Sequence, residues 1–467
     1  MVCARSSVLA RPSCVILLQL MRPGFLYDDA YITLASARAV WHGGDPHFPH
    51  AGVLDGITSP VHFSLVTVLI TLLPAEWALL ASCLIGAAAY AAGLWMLGQH
   101  ENLSRLESAA LVIAGCGAGM ISQHLVNGLE TSWALAGVTW LLVCARRGWA
   151  VGIGVCCGTL PFIRPELGIL AVAVTAHRIH QARRIESPLV AGGVIAAAPW
   201  LALLLWTTGG VVPTSLMVKR DWYAETCWTW SRCAAGVGTG GGLWLRSNAF
   251  VSLGLIGLLR DWLGRVAVLA IVLTLFIWSL SVPDVLHAYQ RHRYYAPFLP
   301  LLIAGLALLP LAVRRYAILL AAVAAVVTTT AVVRLEPAAI AQASDLRASV
   351  VRALRNSGSS RVLVHDIGYM PFEDAAPVFI DMVGLKDRRV ARAHHELTGP
   401  TCGARRADAL QAVALEERPD ALVIWQPWDD YFGVSRALLD AGWRLKRLGT
   451  YGTREPIVVY ALQNPGQ

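Results

Sequence analysis

Long apolar runs dominate this chain, and they decide what it can fold into. ALLASCLIGAAAYAAGLWML (78–97), VAVLAIVLTLFIWSL (266–280) and YAILLAAVAAVVTTTAVV (316–333) each continue for several helical turns without a charged residue. A helical run of about 18 or more such residues matches the ~30 Å hydrocarbon core of a bilayer. The runs are continuous and do not alternate, so they predict membrane helices and not a barrel. Composition agrees. Of 467 residues, 56% are hydrophobic and 15% charged, where a soluble domain carries roughly 25% charged residues.

Further apolar segments lie at about 61–74, 108–124, 132–144, 149–176, 187–207, 249–259 and 296–312. With a short first helix over 8–21, broken by Arg11 and Pro12, they predict about ten to twelve transmembrane helices. The 149–176 run is interrupted by PFIRPE (161–166) and reads either as one kinked helix or as two short ones.

The net charge of +8 comes from short basic clusters between apolar runs: ARRG (145–148), HRIHQARR (177–184) and VRR (313–315). That is the positive-inside pattern of cytoplasmic loops, and it argues against nucleic acid as a partner. With HRIHQARR in the cytoplasm, alternate crossings put 208–248, 283–295 and the C-terminal region outside, with RDWLGR (260–265) inside. The ten cysteines include no CxxC pair. Most lie within apolar runs as small core residues. Cys227 and Cys233 flank a Trp-rich loop and are expected unpaired unless that loop faces an oxidising compartment.

After residue 334 the long apolar runs stop and charge rises. RVLVHD, PVFIDMVG, DALVIWQ and PIVVYAL read as short buried strands, and LRASVVRALRNSG and SRALLDAGW have helical spacing. The expected architecture is an α-helical multi-pass membrane part (1–333) followed by a soluble α/β domain (334–467), with a polar first loop at 22–60.

That first loop, FLYDDAYITLASARAVWHGGDPHFPHAGVLDGITSP (25–60), is the most informative segment. Asp28 and Asp29 are adjacent carboxylates at a membrane boundary, and Tyr31, Leu34 and Ala35 lie on one helix face behind them. Such charges are costly there unless solvated, paired or bound to a cation. They read either as a general base with a Mg2+ or Mn2+ ligand or as first-turn residues of a helix. Glu130 of HLVNGLETSWALAG sits between apolar stretches, to hold a substrate hydroxyl, to meet a basic partner, or to cap the next helix. Arg164 of PFIRPE either pairs with Glu166 or faces a phosphate. Lys219 and Arg220 stand beside Asp221. Arg291, His292 and Arg293 directly precede a membrane helix, where guanidinium groups either bind a lipid phosphate or snorkel to headgroups. Trp222, Trp228 and Trp230 read as sugar-stacking rings or, more simply, as an interfacial aromatic belt. His365 and Asp366 either touch a substrate or close a buried strand end.

In order, DDAYI, A-x-x-x-x-G-G-D-P, DGITSP, NGLET, IRPE, VPTSLMVK and RYYAPFLP resemble the GT-C superfamily of membrane glycosyltransferases. The likeness is to bacterial members of the terminal arabinofuranosyltransferase type, and HDIGYMPF…VFIDMVGLKD extends it into the C-terminal domain. The resemblance implies a transmembrane catalytic core in the bacterial plasma (inner) membrane, with the first loop and C-terminal domain extracytoplasmic. It implies a polyprenyl-phosphate-linked sugar donor and a glycan, lipid or protein acceptor. One of Asp28 and Asp29 would be the base and the other would hold a metal or the donor. Tyr31, Glu130, Arg164, Lys219, Arg220, Arg291, Arg293 and Tyr294 would bind substrate. The reaction would be an inverting displacement with polyprenyl phosphate as leaving group. A transporter or flippase of lipid-linked sugars is the competing reading. It would bury charges mid-helix and often repeat its halves, and this sequence shows no repeat.

Overall fold

In the computed structural model, residues 26–224, 229–281, 293–373, 377–452 and 456–465 are described. The expected helix at 8–21, Cys227, Trp228, Arg291 and His292 lie outside them. The first described element, α1 (Asp28–His42), starts with both aspartates in its first turn, where the helix dipole favours them. Tyr27 and not an aspartate is its N-cap, and Gly43 ends it in the left-handed region at φ 77°. Its apolar face, including Tyr31, Ile32 and Leu34, is buried.

Ser59 caps α2 (Pro60–Leu69) by accepting the His62 N–H. Next come α3 (Ala75–His100), α4 (Arg105–Gly117), which opens on a Ser104–Glu107 capping box, and α5 (Thr131–Arg146). The ambiguous 149–176 run is two helices, α6 (Ala150–Ile163) and α7 (Leu167–Ala182). They fold back on each other. Cys157 Sγ lies 3.4 Å from the Ala171 carbonyl oxygen, although a straight helix would separate residues that far apart in sequence by about 21 Å. The break falls at Arg164 because Pro165 drives the residue before it out of the α region, to φ −150° and ψ 122°.

The hairpin settles where ARRG lies: its two outer ends, and hence ARRG and HRIHQARR, are at the same end of the helix bundle. Arg146 there makes a two-pronged contact with Asp261 of RDWLGR at 2.8 and 3.3 Å. The opposite end gathers the Arg164 break and the start of α5.

Further helices are α8 (Ser187–Thr208), α9 (Thr214–Trp222), α10 (Trp230–Ser247), α11 (Gly254–Arg260), α12 (Trp262–Ser281), α13 (Leu299–Ala307) and α14 (Leu311–Ser357). Among the described residues, α3, α8 and the Leu311–Arg334 part of α14 are long and apolar enough to cross a membrane. Val237–Ser247 and Ala249–Arg260, bent by 108°, make a fourth if they are one broken span. The other expected apolar segments are present as shorter helices.

Small residues bring these helices together, as they do where lipid offers no hydrophobic drive. Gly257 of α11 lies on the Gly305 carbonyl of α13, and Gly305 in turn lies on the Gly254 carbonyl, so a Cβ at any of the three would strike backbone.

The C-terminal region is a five-stranded sheet in the order β2-β1-β3-β5-β4. Its strands are β1 (Arg361–Val364), β2 (Val378–Asp381), β3 (Ala421–Trp425), β4 (Arg444–Tyr451) and β5 (Ile457–Gln463). β1 pairs parallel with both β2 and β3, and β5 pairs antiparallel with β3 and β4. The sheet does not stand apart from the membrane part. α14 runs unbroken from its membrane span into this region, and one buried cluster joins Ala30, Leu34 and Phe63 to Val350, Val364 and Phe379.

Replacing Gly305 with Val should lower the unfolding midpoint of the detergent-solubilised protein by several degrees, since overpacking against rigid backbone costs about 1–3 kcal/mol or more. Gly43→Val, at a helix end where a Cβ meets nothing within 4 Å, is the control: it should carry only the cost of its left-handed φ.

Candidate active site

Four chain segments converge at the end of the bundle that faces the sheet. The Asn127–Glu130 turn sets the first. Asn127 O accepts the Tyr27 N–H at 2.9 Å, and Asn127 Oδ1 accepts the Leu129 N–H at 3.0 Å. Gly128, at φ +82°, packs so closely on Ala30 and Leu26 that a Cβ would not fit. His62, with Nε2 3.0 Å from the Gly128 carbonyl, is buried beneath this turn. Glu130 is thereby held beside the start of α1. It is buried and occupies the N-cap position of α5, but its side chain makes no capping bond there and turns to the arginines instead.

A row of alternating charges follows. Asp29 Oδ2 accepts from Arg293 Nη1 at 2.7 Å, and Arg293 Nη2 reaches Glu130 Oε1 at 3.3 Å. The same oxygen lies 3.4 Å from Arg164 Nη1, and Arg164 Nε donates to Glu166 at 2.6 Å. Burial would raise the Glu130 carboxyl, but Arg293 and Arg164 outweigh it and hold it down at about 2. Tyr294 lies under both guanidinium groups, 5.2 Å from Arg164 and 5.8 Å from Arg293. Arg164 thus meets Glu166, as one reading of the sequence had it, and shares Glu130 with Arg293.

Asp28 and Asp29 do not act as a pair. Neighbouring helix residues project about 100° apart, and these two meet different partners. Asp28 accepts the Tyr369 N–H at 2.9 Å and lies 3.5 Å from Arg347 of α14. Its side chain is 12% exposed against 31% for Asp29. Burial pushes the Asp28 carboxyl up to about 6, against the pull of Arg347 and with added repulsion from Asp366. Among the described residues, no three His, Cys, Asp or Glu side chains converge as a metal site would need. The two aspartates meet different partners, and an arginine stands beside each: Arg293 beside Asp29 and Arg347 beside Asp28.

Two cavities meet at the charge row. The first, about 870 Å³ including its open mouth, is polar and lies between α1 and the sheet; Asp28, Asp29, Thr58, His365 and Asp366 line it. The second, about 1250 Å³, is mostly apolar and passes Arg164, Ile169, Leu216, Met217 and Ile277 between the membrane helices. Thr58, Glu130, Lys219, Tyr223, Arg293 and Tyr294 line both.

Arg220 lines only the apolar cavity and is paired with Asp221 at 2.9 Å. Tyr31 lines neither cavity: its hydroxyl donates to Glu76 at 2.7 Å and its ring packs on Tyr369 and Phe372. Trp222 is in neither a sugar platform nor an interfacial belt. It is fully buried against His394 and Phe432. Thr58, Tyr223 and Arg347 were not singled out from the sequence. The first two sit inside or beside quoted motifs, whereas Arg347 lies on a helix with no local signal.

The other acidic residues of the first loop bind it to the sheet region. Asp45 pairs with Lys386 at 3.3 Å, and Asp55 with Arg388 at 2.9 Å.

Residues 338–460 match the model of a domain of unknown function (DUF8728). No curated protein matches the sequence. Among solved structures, the chain is similar to ArnT from Cupriavidus metallidurans bound to undecaprenyl phosphate, with a TM-score of 0.59, 14% identity and 98% of each chain covered. The apo state of the same protein matches with a TM-score of 0.53 at the same identity and coverage. The chain therefore has an ArnT-like fold over nearly its whole length. At 14% identity the likeness speaks to fold alone.

Glu130→Ala would remove the carboxylate that two buried guanidinium groups share, leaving Arg293 with the half-buried Asp29 and Arg164 with Glu166. It should destabilise the protein by about 3 kcal/mol, the lower end for a broken buried pair, read as a fall in the unfolding midpoint. Asp28 offers a pH test. Its folded value of about 6 lies above the ordinary 3.8, so the native state binds this proton first. Stability from Asp28 is full below about 4 and is lost as pH rises through about 6. The midpoint of Asp28→Asn minus that of the wild type should therefore grow between pH 4 and pH 7.

Proposed function

We propose that this protein is a membrane glycosyltransferase that moves a sugar from a polyprenyl-phosphate donor to an acceptor hydroxyl. The observation that carries this reading is the junction of the two cavities at Arg293 and Lys219, with Arg164 on its apolar side. An apolar groove between membrane helices suits a polyprenyl chain. The cationic groups at its mouth suit a phosphate, and the polar cavity beyond them suits a sugar and its acceptor. The fold supports the donor class, because the structural neighbour ArnT was solved with undecaprenyl phosphate bound.

Asp29 is the carboxylate best placed as the base, since it faces the polar cavity and is the more exposed of the pair. While Arg293 holds it, it is a weak base. A donor phosphate competes for the same guanidinium, which returns basicity to Asp29 when donor is present. The acceptor oxygen then attacks the anomeric carbon and its proton passes to Asp29. The bond from that carbon to the phosphate oxygen breaks, and polyprenyl phosphate leaves as an anion beside Arg293, Arg164 and Lys219. Direct displacement inverts the anomeric centre. Asp28, bound to Tyr369 and Arg347, positions α1 and takes no proton in this scheme.

The motif likeness favours arabinofuranose as the sugar and an envelope glycan as acceptor, in a bacterial plasma membrane with the first loop and sheet region outside. The disulfide-bonded Cys402 of the sheet region suits an oxidising, extracytoplasmic side.

Purified protein given polyprenyl-phosphate arabinofuranose, mannose or glucose should turn over one donor. Asp29→Asn should reduce that turnover at least a hundredfold, while Asp28→Asn, which keeps an oxygen for the Tyr369 N–H, should lose far less. EDTA should leave turnover unchanged, because guanidinium groups already supply the charge. Equal loss in both variants would return the base to the pair as a whole. Turnover untouched by Asp29→Asn would remove it from the mechanism.

A further inference from the structure

The polar cavity has a second wall, built by the sheet, to which the mechanism above gives no role. His365 and Asp366 directly follow β1. In the order β2-β1-β3, β1 is flanked by parallel strands on both sides. The chain moves from β1 to one side for β2 and returns to the other for β3, so the carboxyl end of β1 is a topological switch point. In open α/β sheets that is where a crevice for ligands forms. The short helix that follows β3 (Gln426–Phe432) backs this end of the sheet: Trp428 stacks on His365 with ring centroids 5.0 Å apart and planes 22° off parallel.

The chemistry of the imidazole is set by its neighbour. His365 Nδ1 lies 3.3 Å from Asp366 Oδ1. An ionised carboxylate only accepts, so Nδ1 carries the hydrogen and Nε2 of the neutral ring presents a lone pair. Nε2 is buried and has no hydrogen-bond partner among the described residues, and the whole side chain is only 9% exposed. A buried polar atom left unpaired costs about 1–3 kcal/mol, and Trp428 keeps the ring from turning away. The atom therefore calls for a donor from the cavity that its own residue lines.

We propose that His365, oriented by Asp366, binds a hydroxyl of a saccharide acceptor, so that the C-terminal domain supplies the acceptor subsite. This rests on the glycosyltransferase reading. A saccharide fits better than a lipid acceptor because this cavity is lined by Asp28, Asp29, Asp366, Thr58 and the Tyr223 ring. Carboxylates and hydroxyls take polyol hydrogen bonds and the ring offers a face to a sugar, whereas the apolar path belongs to the other cavity.

The test uses full-length protein in detergent, the polyprenyl-phosphate sugar that the wild type turns over as donor, octyl glycosides of arabinose, mannose and glucose as acceptors, and undecaprenyl phosphate as a separate probe of donor-side binding. In His365→Gly the acceptor KM should rise about tenfold, the loss of one hydrogen bond, with undecaprenyl phosphate affinity unchanged. Added imidazole should restore the KM. Pyrrole, which has the same shape but no acceptor nitrogen, should not. Asp366→Asn should raise the KM two- to fivefold. If glycine prevents folding, His365→Gln and His365→Phe carry the same contrast, since only the amide oxygen can accept. An unchanged acceptor KM, or rescue by pyrrole as good as by imidazole, overturns the proposal and leaves the ring a packing element. Parallel loss of undecaprenyl phosphate affinity also overturns it. A wild type that binds no undecaprenyl phosphate overturns instead the reading on which it rests.

Discussion

The buried row Asp29–Arg293–Glu130–Arg164 is the constraint on which the rest of this structure depends. Glu130, Arg164 and Arg293 are buried, and each would be prohibitively costly alone in a membrane protein interior. Their burial is tolerable only because each meets an opposite charge, and their partners come from segments far apart in sequence. The features that bring them together have local causes. Pro165 breaks the α6–α7 hairpin so that Arg164 projects inward, and Gly128 lets the Glu130 turn sit against α1. A row of this kind contributes little net stability when intact, because desolvation offsets attraction. What it supplies is a dense set of fixed charges where the apolar and polar cavities meet.

Much of this was legible in the sequence. Long uncharged runs gave the membrane helices, and β-rich apolar runs gave four of the five strands. The charges of the row stood out because each interrupts or borders an apolar stretch, where only a pairing or a function justifies it. What could not be read was connectivity. Nothing local says that Glu130 serves two arginines, or that the adjacent aspartates diverge to Arg293 and to Tyr369. β4 was missed because RLKRLGTY has no apolar alternation. It is an edge strand, largely exposed along its length, and its identity comes from pairing with β5. The 149–176 run stayed ambiguous because proline kinks a helix and ends one by the same means. Only the contact between Cys157 and Ala171 decides.

The first loop and the sheet region are best understood together. Asp28, Asp45 and Asp55 of the loop all bind groups of the later region. The loop motifs GGDP and DGITSP are thus explained partly as anchors: their carboxylates answer Lys386 and Arg388 and leave Asp29 facing the cavity. This is also why the expected boundary at residue 333 describes composition better than it describes packing, since α14 passes through it without a break and carries Arg347 to Asp28.

The same anchoring weighs between an enzyme and a transporter. Alternating access needs two halves that rock about a central site, with charges that can face either side. Here the charge row lies at one end of the bundle. α1 is tied to the sheet through Asp28, and the sheet is tied to a membrane span by one continuous helix. Moving the row across the bilayer would break the Asp45–Lys386 and Asp55–Arg388 links together with a buried apolar cluster common to the loop and the sheet. A reaction between a membrane-held donor and an acceptor from the polar side requires no such motion. It needs an apolar groove and a polar chamber that share a cationic wall, and the two cavities here share Arg293 and Lys219.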